Sequence, residues 1–180
     1  SNMEKTKYAS AERTEIKRLI QESGIIKQVE YIDKLINSLP SIAAILNKNR
    51  ELIFVNDSLL ELLELQSVSD ILGQRPGEFL HCINASREIG GCGTSENCSV
   101  CGAVNCILGA QQEFRKTTAE CRITTKNDNE IISYEFKVTT TPFVWKQEVF
   151  YIFSLIDISS EKRRRAMEKI FFHDIINKTG

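Results

Sequence analysis

The chain predicts an α+β fold: a five-stranded antiparallel sheet with short helices between its strands and a helix at each end. Three observations carry that expectation. Between Phe114 and Asp157 apolar and polar residues alternate with the two-residue period of strands, most plainly at Ile132, Tyr134, Phe136 and Val138. Two shorter apolar runs, Ile42 to Leu46 and Leu52 to Val55, flank the turn-forming Asn47-Lys48-Asn49-Arg50. Both ends of the chain are rich in charged residues and helix formers.

From Lys5 to Leu39 the pattern is helical, with a weak point at Gly24. Ile25, Val29, Ile32, Ile36 and Leu39 then step by four, three, four and three, the alternation of a heptad seam. That seam predicts either a homodimer contact within residues 1–38 or a helix packed on its own domain. Pro40 stops the helix, since it cannot continue the hydrogen-bond ladder. Asn56-Asp57-Ser58 supplies N-cap residues for a helix over Leu59, Leu60, Leu62 and Leu63. Short helical turns follow around Ser69 to Leu72 and Pro76 to Leu80. A Gly- and Cys-rich segment runs from Cys82 to Cys106, with a short helix over Gly102 to Gln112. Strands are expected at Phe114 to Thr125, Glu130 to Thr141 and Glu148 to Asp157, with Asn127-Asp128-Asn129 as a hairpin turn. A charged helix begins at Glu161.

With 180 residues the chain has room for roughly one to two domains. Its 42% hydrophobic and 26% charged residues are ordinary for a globular protein, and a net charge of -1 points to neither nucleic acid nor an anionic membrane. The basic run Lys162 to Arg165 reads as the solvated face of a helix. No apolar run approaches the ~18 residues of a membrane span, and no signal peptide is expected. Ser1-Asn2 ahead of Met3 reads as an expression remnant. Six cysteines without a secretory leader favour metal binding or redox chemistry over a disulfide scaffold, and imply a cytoplasmic protein.

The candidate donors are Cys82, Cys92, Cys98 and Cys101, close together in sequence and including the pair Cys98-Ser99-Val100-Cys101. Gly93 and Gly102 follow two of them and allow tight turns whose backbone N–H groups face sulfur. Thiolates are soft ligands, so zinc or an iron–sulfur cluster are the expected guests. The Cys92 to Cys98 spacing is one residue longer than a plant-type ferredoxin start, so it dictates neither. A reversible Cys98–Cys101 disulfide is the metal-free reading. Cys106 and Cys121 are expected in the core, and His81 is left outside the ligand set. No Ser-His-Asp triad or usable pair of carboxylates points to an enzyme domain.

The order of two strands, short helices and a three-stranded meander resembles the PAS sensor fold, over roughly Leu39 to Ser160. Phe54-Val55-Asn56 entering the first internal helix is one local match. Asp157-Ile158-Ser159 is similar to the Asp-Ile-Thr ending from which PAS domains launch a signalling helix. The resemblance implies a PAS domain at 39–160, with the cysteine insertion at 82–106 and a dimerisation helix starting within 161–180. Gly91 to Ala103 resembles an insertion of one PAS kinase subgroup, whose cysteines match Cys82, Cys92, Cys98 and Cys101. The PAS interior is expected either to hold a small ligand or to be filled by Phe, Ile and Leu. No flavin or haem signature stands out.

Phe171-Phe172-His173-Asp174-Ile175-Ile176-Asn177 puts His173 and Asn177 on one helical face with Asp174 beside them. Ile175 and Ile176 are expected to pack inward with Phe171 and Phe172. A neutral imidazole is a nucleophile near neutral pH, and a lone surface histidine is the alternative. The stretch resembles the phosphoacceptor box of sensor histidine kinases, His-Asp/Glu-x-x-Asn/Thr. The resemblance implies that His173 takes the γ-phosphate of ATP and passes it to a response regulator receiver domain. It assigns Asp174 as general base and Asn177 as the residue orienting water in dephosphorylation. It also implies a homodimer. No phosphate-loop motif and no Asn- and Gly-rich ATP-binding domain occurs, so ATP would bind a missing domain and the fragment is expected to be inactive alone. The alternative function is a PAS ligand- or metal-binding module of a non-kinase signalling protein.

Overall fold

The structure, a computed structural model, describes residues 5–178. The Ser1-Asn2-Met3 start and residues 179–180 of the expected dimerisation segment lie outside the described residues. Two helices, α1 (Ile16–Lys27) and α2 (Ile32–Asn37), precede strands β1 (Ile42–Leu46) and β2 (Leu52–Val55). Helices α3 (Asp57–Leu62), α4 (Pro76–Phe79) and α5 (Gly102–Glu113) follow, with single 3-10 turns at Val68–Asp70 and Glu96–Val100. Strands β3 (Thr117–Asn127), β4 (Glu130–Trp145) and β5 (Glu148–Asp157) lead into α6 (Ser159–Lys178). The five strands form one antiparallel sheet in the order β2-β1-β5-β4-β3.

Strand alternation divides the apolar residues between two cores. Ala44, Leu46, Tyr151, Phe153 and Leu155 face α3, α4 and α5, where Leu59, Phe79 and Ile107 meet them. Ala43, Ile45 and Phe150 face the other way, onto Leu19 and Ile26 of α1 and Ile36 of α2. β1 is therefore covered on both faces, which is why it reads as a continuous apolar run. The expected strands β1, β2 and β5 hold to the residue.

Asn56 ties these layers together from a buried position. Its side-chain oxygen accepts from Ala43 N–H at 3.0 Å and, as the N-cap of α3, from Leu59 N–H at 3.2 Å. Its amide donates to Ser41 O at 2.8 Å and Ile36 O at 3.3 Å. A helix cap, a strand start and the end of α2 thus share one side chain.

Four expectations are corrected. Residues 5–15 are not helical but run as an extended strap over the cysteine-rich loop, with Lys7 N–H donating to Thr94 O and Ala9 N–H to Gly93 O. Those tertiary hydrogen bonds replace the ones a helix would supply. The helical break falls at residues 28–31, where Tyr31 takes φ 61°, while Gly24 lies inside α1. Of the seam, Ile36 is buried and Ile25 and Ile32 pack beside it on the protein's own sheet, while Leu39 is exposed. β3 starts at Thr117 rather than Phe114, because Phe114 closes α5 in the left-handed region at φ 51°. Lastly, Phe171, Phe172, Ile175 and Ile176 are exposed rather than packed inward, since α6 leaves the sheet and buries none of its residues.

Candidate functional site

β5 hands over to α6 through a short set of bonds. Asp157 accepts Ser159 N–H at 2.8 Å, Ile158 N–H donates to Glu135 O at 2.8 Å, and Glu135 N–H donates to Ser159 Oγ at 3.0 Å. Lys162, one turn on, reaches Glu120 of β3 at 2.7 Å and Glu135 of β4 at 3.3 Å. Glu120 holds the Lys162 ammonium above its ordinary range, and Lys162 holds the Glu120 carboxyl below its own. The first turn of α6 is thereby fastened to the two strands at the sheet's far edge.

At the other end of α6, His173, Asp174 and Asn177 stand exposed to solvent. The Asn177 amide nitrogen lies 3.0 Å from His173 Nδ1 and 3.4 Å from Nε2, the contact expected for residues four apart. No helix among the described residues is long and apolar enough to cross a membrane.

The cysteines gather around the loop between α4 and α5. Cys82, Cys92, Cys98 and Cys101 all line one cavity of ≈ 260 Å³, together with apolar side chains such as Val104 and Ile107 and with Arg50 and Arg122. Gly77 N–H donates to Cys92 Sγ at 3.2 Å, and Ser95 Oγ lies 3.2 Å from Cys98 Sγ. Gly93 bends the loop at φ 89°, and a Cβ there would lie 2.8 Å from Arg50 Nη2. Cys101 sits at the N-cap of α5 with its sulfur 3.7 Å from Cys121 Sγ.

Charge in this region is unusual. Arg50 and Arg75 are both buried, yet they donate to carbonyls rather than to carboxylates. Arg50 reaches Ser10 O at 2.8 Å and Cys92 O at 3.2 Å. Arg75 reaches Asn49 O at 2.9 Å, Gly90 O at 3.0 Å and Glu12 O at 2.7 Å. Burial lowers both guanidiniums, Arg75 to about 10. Buried cations of this kind favour anions nearby, and Arg50 stands beside Cys92 and Cys98. Burial would raise the Glu78 carboxyl, but hydrogen bonds from Arg13 and from the Arg75 and Cys92 backbone outweigh it and hold it below the usual range.

The thiols differ among themselves. Burial pushes Cys92 up to about 12 and raises Cys82 as well. The hydrogen bond between Cys101 and Cys121 lowers Cys101 and raises Cys121, and the Val104 and Ala103 N–H groups at the start of α5 add to the lowering. Cys101 is thus held below the ordinary thiol range, while Cys82 and Cys92 are held above it. The four sulfurs fit a soft cation in donor chemistry. Among the described residues they surround the cavity without three of them meeting at one point.

Cys106 and Cys121 are buried in the main core, as expected. The contact of Cys121 with Cys101 was not expected. Its inward parity on β3 was legible, but its position against the start of α5 was not. His81 is exposed at φ 57° and stands apart from the cysteine cavity.

No family model matches the chain, and no curated protein matches it in sequence. Solved structures do resemble it. An RNA-binding Light-Oxygen-Voltage receptor is 12% identical over 82% of this chain and 37% of that one, with a TM-score of 0.51. A LOV protein from Rhodobacter sphaeroides is 16% identical over 74% of this chain and 68% of its own, with a TM-score of 0.50. A PAS domain from a two-component sensor histidine kinase is 13% identical over 73% and 96% of the two chains, with a TM-score of 0.44. The fold is the PAS fold, as the order of elements led us to expect.

Proposed function

We propose that this chain is the sensory portion of a two-component sensor histidine kinase, in which a redox or metal-linked signal at the cysteine cavity is relayed to His173. The observation that carries this reading is the course of α6. It grows out of β5 through Asp157-Ile158-Ser159 and presents His173, with Asn177 3.0 Å away, on an exposed helical face. An exposed imidazole on a projecting helix is what a separate ATP-binding domain needs to reach.

In this reading His173 is the phosphoacceptor, Asp174 its general base, and Asn177 the residue that orients water in dephosphorylation. The exposed Ile170, Phe171 and Phe172 favour a second copy of the chain as partner, and an aspartate of a response regulator takes the phosphate on. Zinc or an iron–sulfur cluster would be held by Cys82, Cys92, Cys98 and Cys101, and would supply a charge and ligand geometry that change with its state. Arg50, lacking a carboxylate partner, would offset the thiolates. The relay runs along the strands that hold Lys162.

The test is phosphotransfer. Mixed with ATP and an intact kinase domain of the same protein, the chain acquires acid-labile phosphate on His173, and a His173→Gln chain acquires none. Label persisting in His173→Gln, or no label on either chain, overturns the reading in favour of a PAS module of a non-kinase signalling protein.

A further inference from the structure

We propose that Cys101 and Cys121 form a reversible disulfide when hydrogen peroxide enters through the cysteine-lined cavity, a pair that deepens the redox form of the function proposed above and rests on it. Three features of the geometry point to this pair. The two sulfurs are already in contact at 3.7 Å, and a disulfide needs ~2.05 Å. The backbones on either side touch: a Cβ on Gly102 would lie 3.3 Å from Cys121 Cβ and 2.0 Å from Glu120 O. Closing the remaining gap therefore calls for side-chain rotation and a small shift, not for a rearranged loop. The sulfur of Cys98, by contrast, is turned to Ser95 Oγ.

Access differs between the two thiols, and that assigns their roles. Cys101 is half-buried and lines the cavity, whereas Cys121 is buried behind it in the core. Peroxide meets Cys101 first. The Cys101 thiolate attacks one peroxide oxygen, the O–O bond breaks, and the departing hydroxide takes a proton to leave as water. The resulting sulfenic acid condenses with the Cys121 thiol, forming the S–S bond and releasing a second water. Two thiols are oxidised by two electrons in all, and one peroxide is reduced to two waters.

The position of Cys121 gives this bond a consequence. Its neighbour Glu120 lies on the opposite face of β3 and holds Lys162 at the start of α6. Drawing Cys121 toward α5 shifts the residue that anchors the outgoing helix.

The reduced full chain is treated with hydrogen peroxide, both as purified and after a chelator has removed any metal. Free thiols are then alkylated, and the digest is read by mass spectrometry without reductant. The expected result is a peptide pair joining Cys101 to Cys121, lighter by two hydrogen atoms and separated by dithiothreitol, with two of the six cysteines lost to alkylation. In a Cys121→Ser chain that pair is absent and dimedone labels Cys101 instead. A Cys98–Cys101 bond in its place, or six alkylatable thiols in both preparations, overturns the proposal. A Cys101–Cys121 bond that leaves His173 labelling unchanged upholds the pair and removes only the redox relay.

Discussion

Glu22 shows how much a single buried atom can decide. It lies on the inner face of α1 and pairs with Arg18 at 3.5 Å, and one of its carboxylate oxygens lacks a hydrogen-bond partner among the described residues. Burial raises this carboxyl above its ordinary value, against the lowering by Asn47 and Arg18. A raised folded value means that its contribution is most favourable below the unfolded carboxylate range and is lost as pH rises through the folded value. A Glu22→Gln chain should therefore be more stable than the parent at pH 8, by roughly 1–3 kcal/mol, the scale of an unmet buried polar group. The difference should shrink toward pH 4. Urea unfolding of both chains at the two pH values measures it, and a Gln variant weaker than the parent at pH 8 contradicts it. No sequence pattern marked Glu22, because a lone glutamate in a helical stretch reads as solvated until the neighbouring sheet is in place. Asn56 is the opposite case. Its capping role was legible from Asn56-Asp57-Ser58, though its bonds to α2 and β1 were not.

At the scale of elements, the sheet was the easiest part to read. β4 keeps the parity of Tyr134, Phe136 and Val138 because one face must be apolar, and that constraint is local. α6 was legible as a helix but not in its surroundings. Its apolar residues suggested an inward face, yet among the described residues only its first turn is fastened to the domain. That fastening is the element to test. In an Asp157→Ala chain the Ser159 N–H loses its acceptor, at a cost of about 1 kcal/mol to the first turn. Amide exchange at the N-terminal turn of α6 should quicken several-fold while β1 and β5 stay protected. Unchanged exchange there means that the strand contacts of Lys162 hold the helix by themselves.

The whole molecule sets a strap, a loop and a sheet against one another. Arg13 pairs with Glu78 and donates to Gly73 O and Gly90 O, pinning residues 5–15 across the loop that carries Cys92. Because the folded Glu78 value is depressed, this hold is present above the ordinary carboxylate range and is lost as pH falls through the depressed value. An Arg13→Ala chain should lose about 1 kcal/mol of stability and expose Cys92 to alkylation several-fold faster at neutral pH. Acidifying the parent should loosen the strap in the same sense, read as faster exchange at Lys7 and Ala9. Equal alkylation rates in the two chains would mean that the strap does not guard the loop. The sequence alone determined the α+β class, the existence of the strands, most internal turns and the Asn56 cap, since each depends on residues within a turn or a strand of one another. Only the tertiary structure decided that residues 5–15 form a strap, that the seam of α1 and α2 faces the sheet, and that Cys121 meets Cys101. The strap and the cysteine contact depend on residues 20 or more positions apart, such as the 20 that separate Cys101 from Cys121, and local periodicity carries no record of which distant surface will cover a segment.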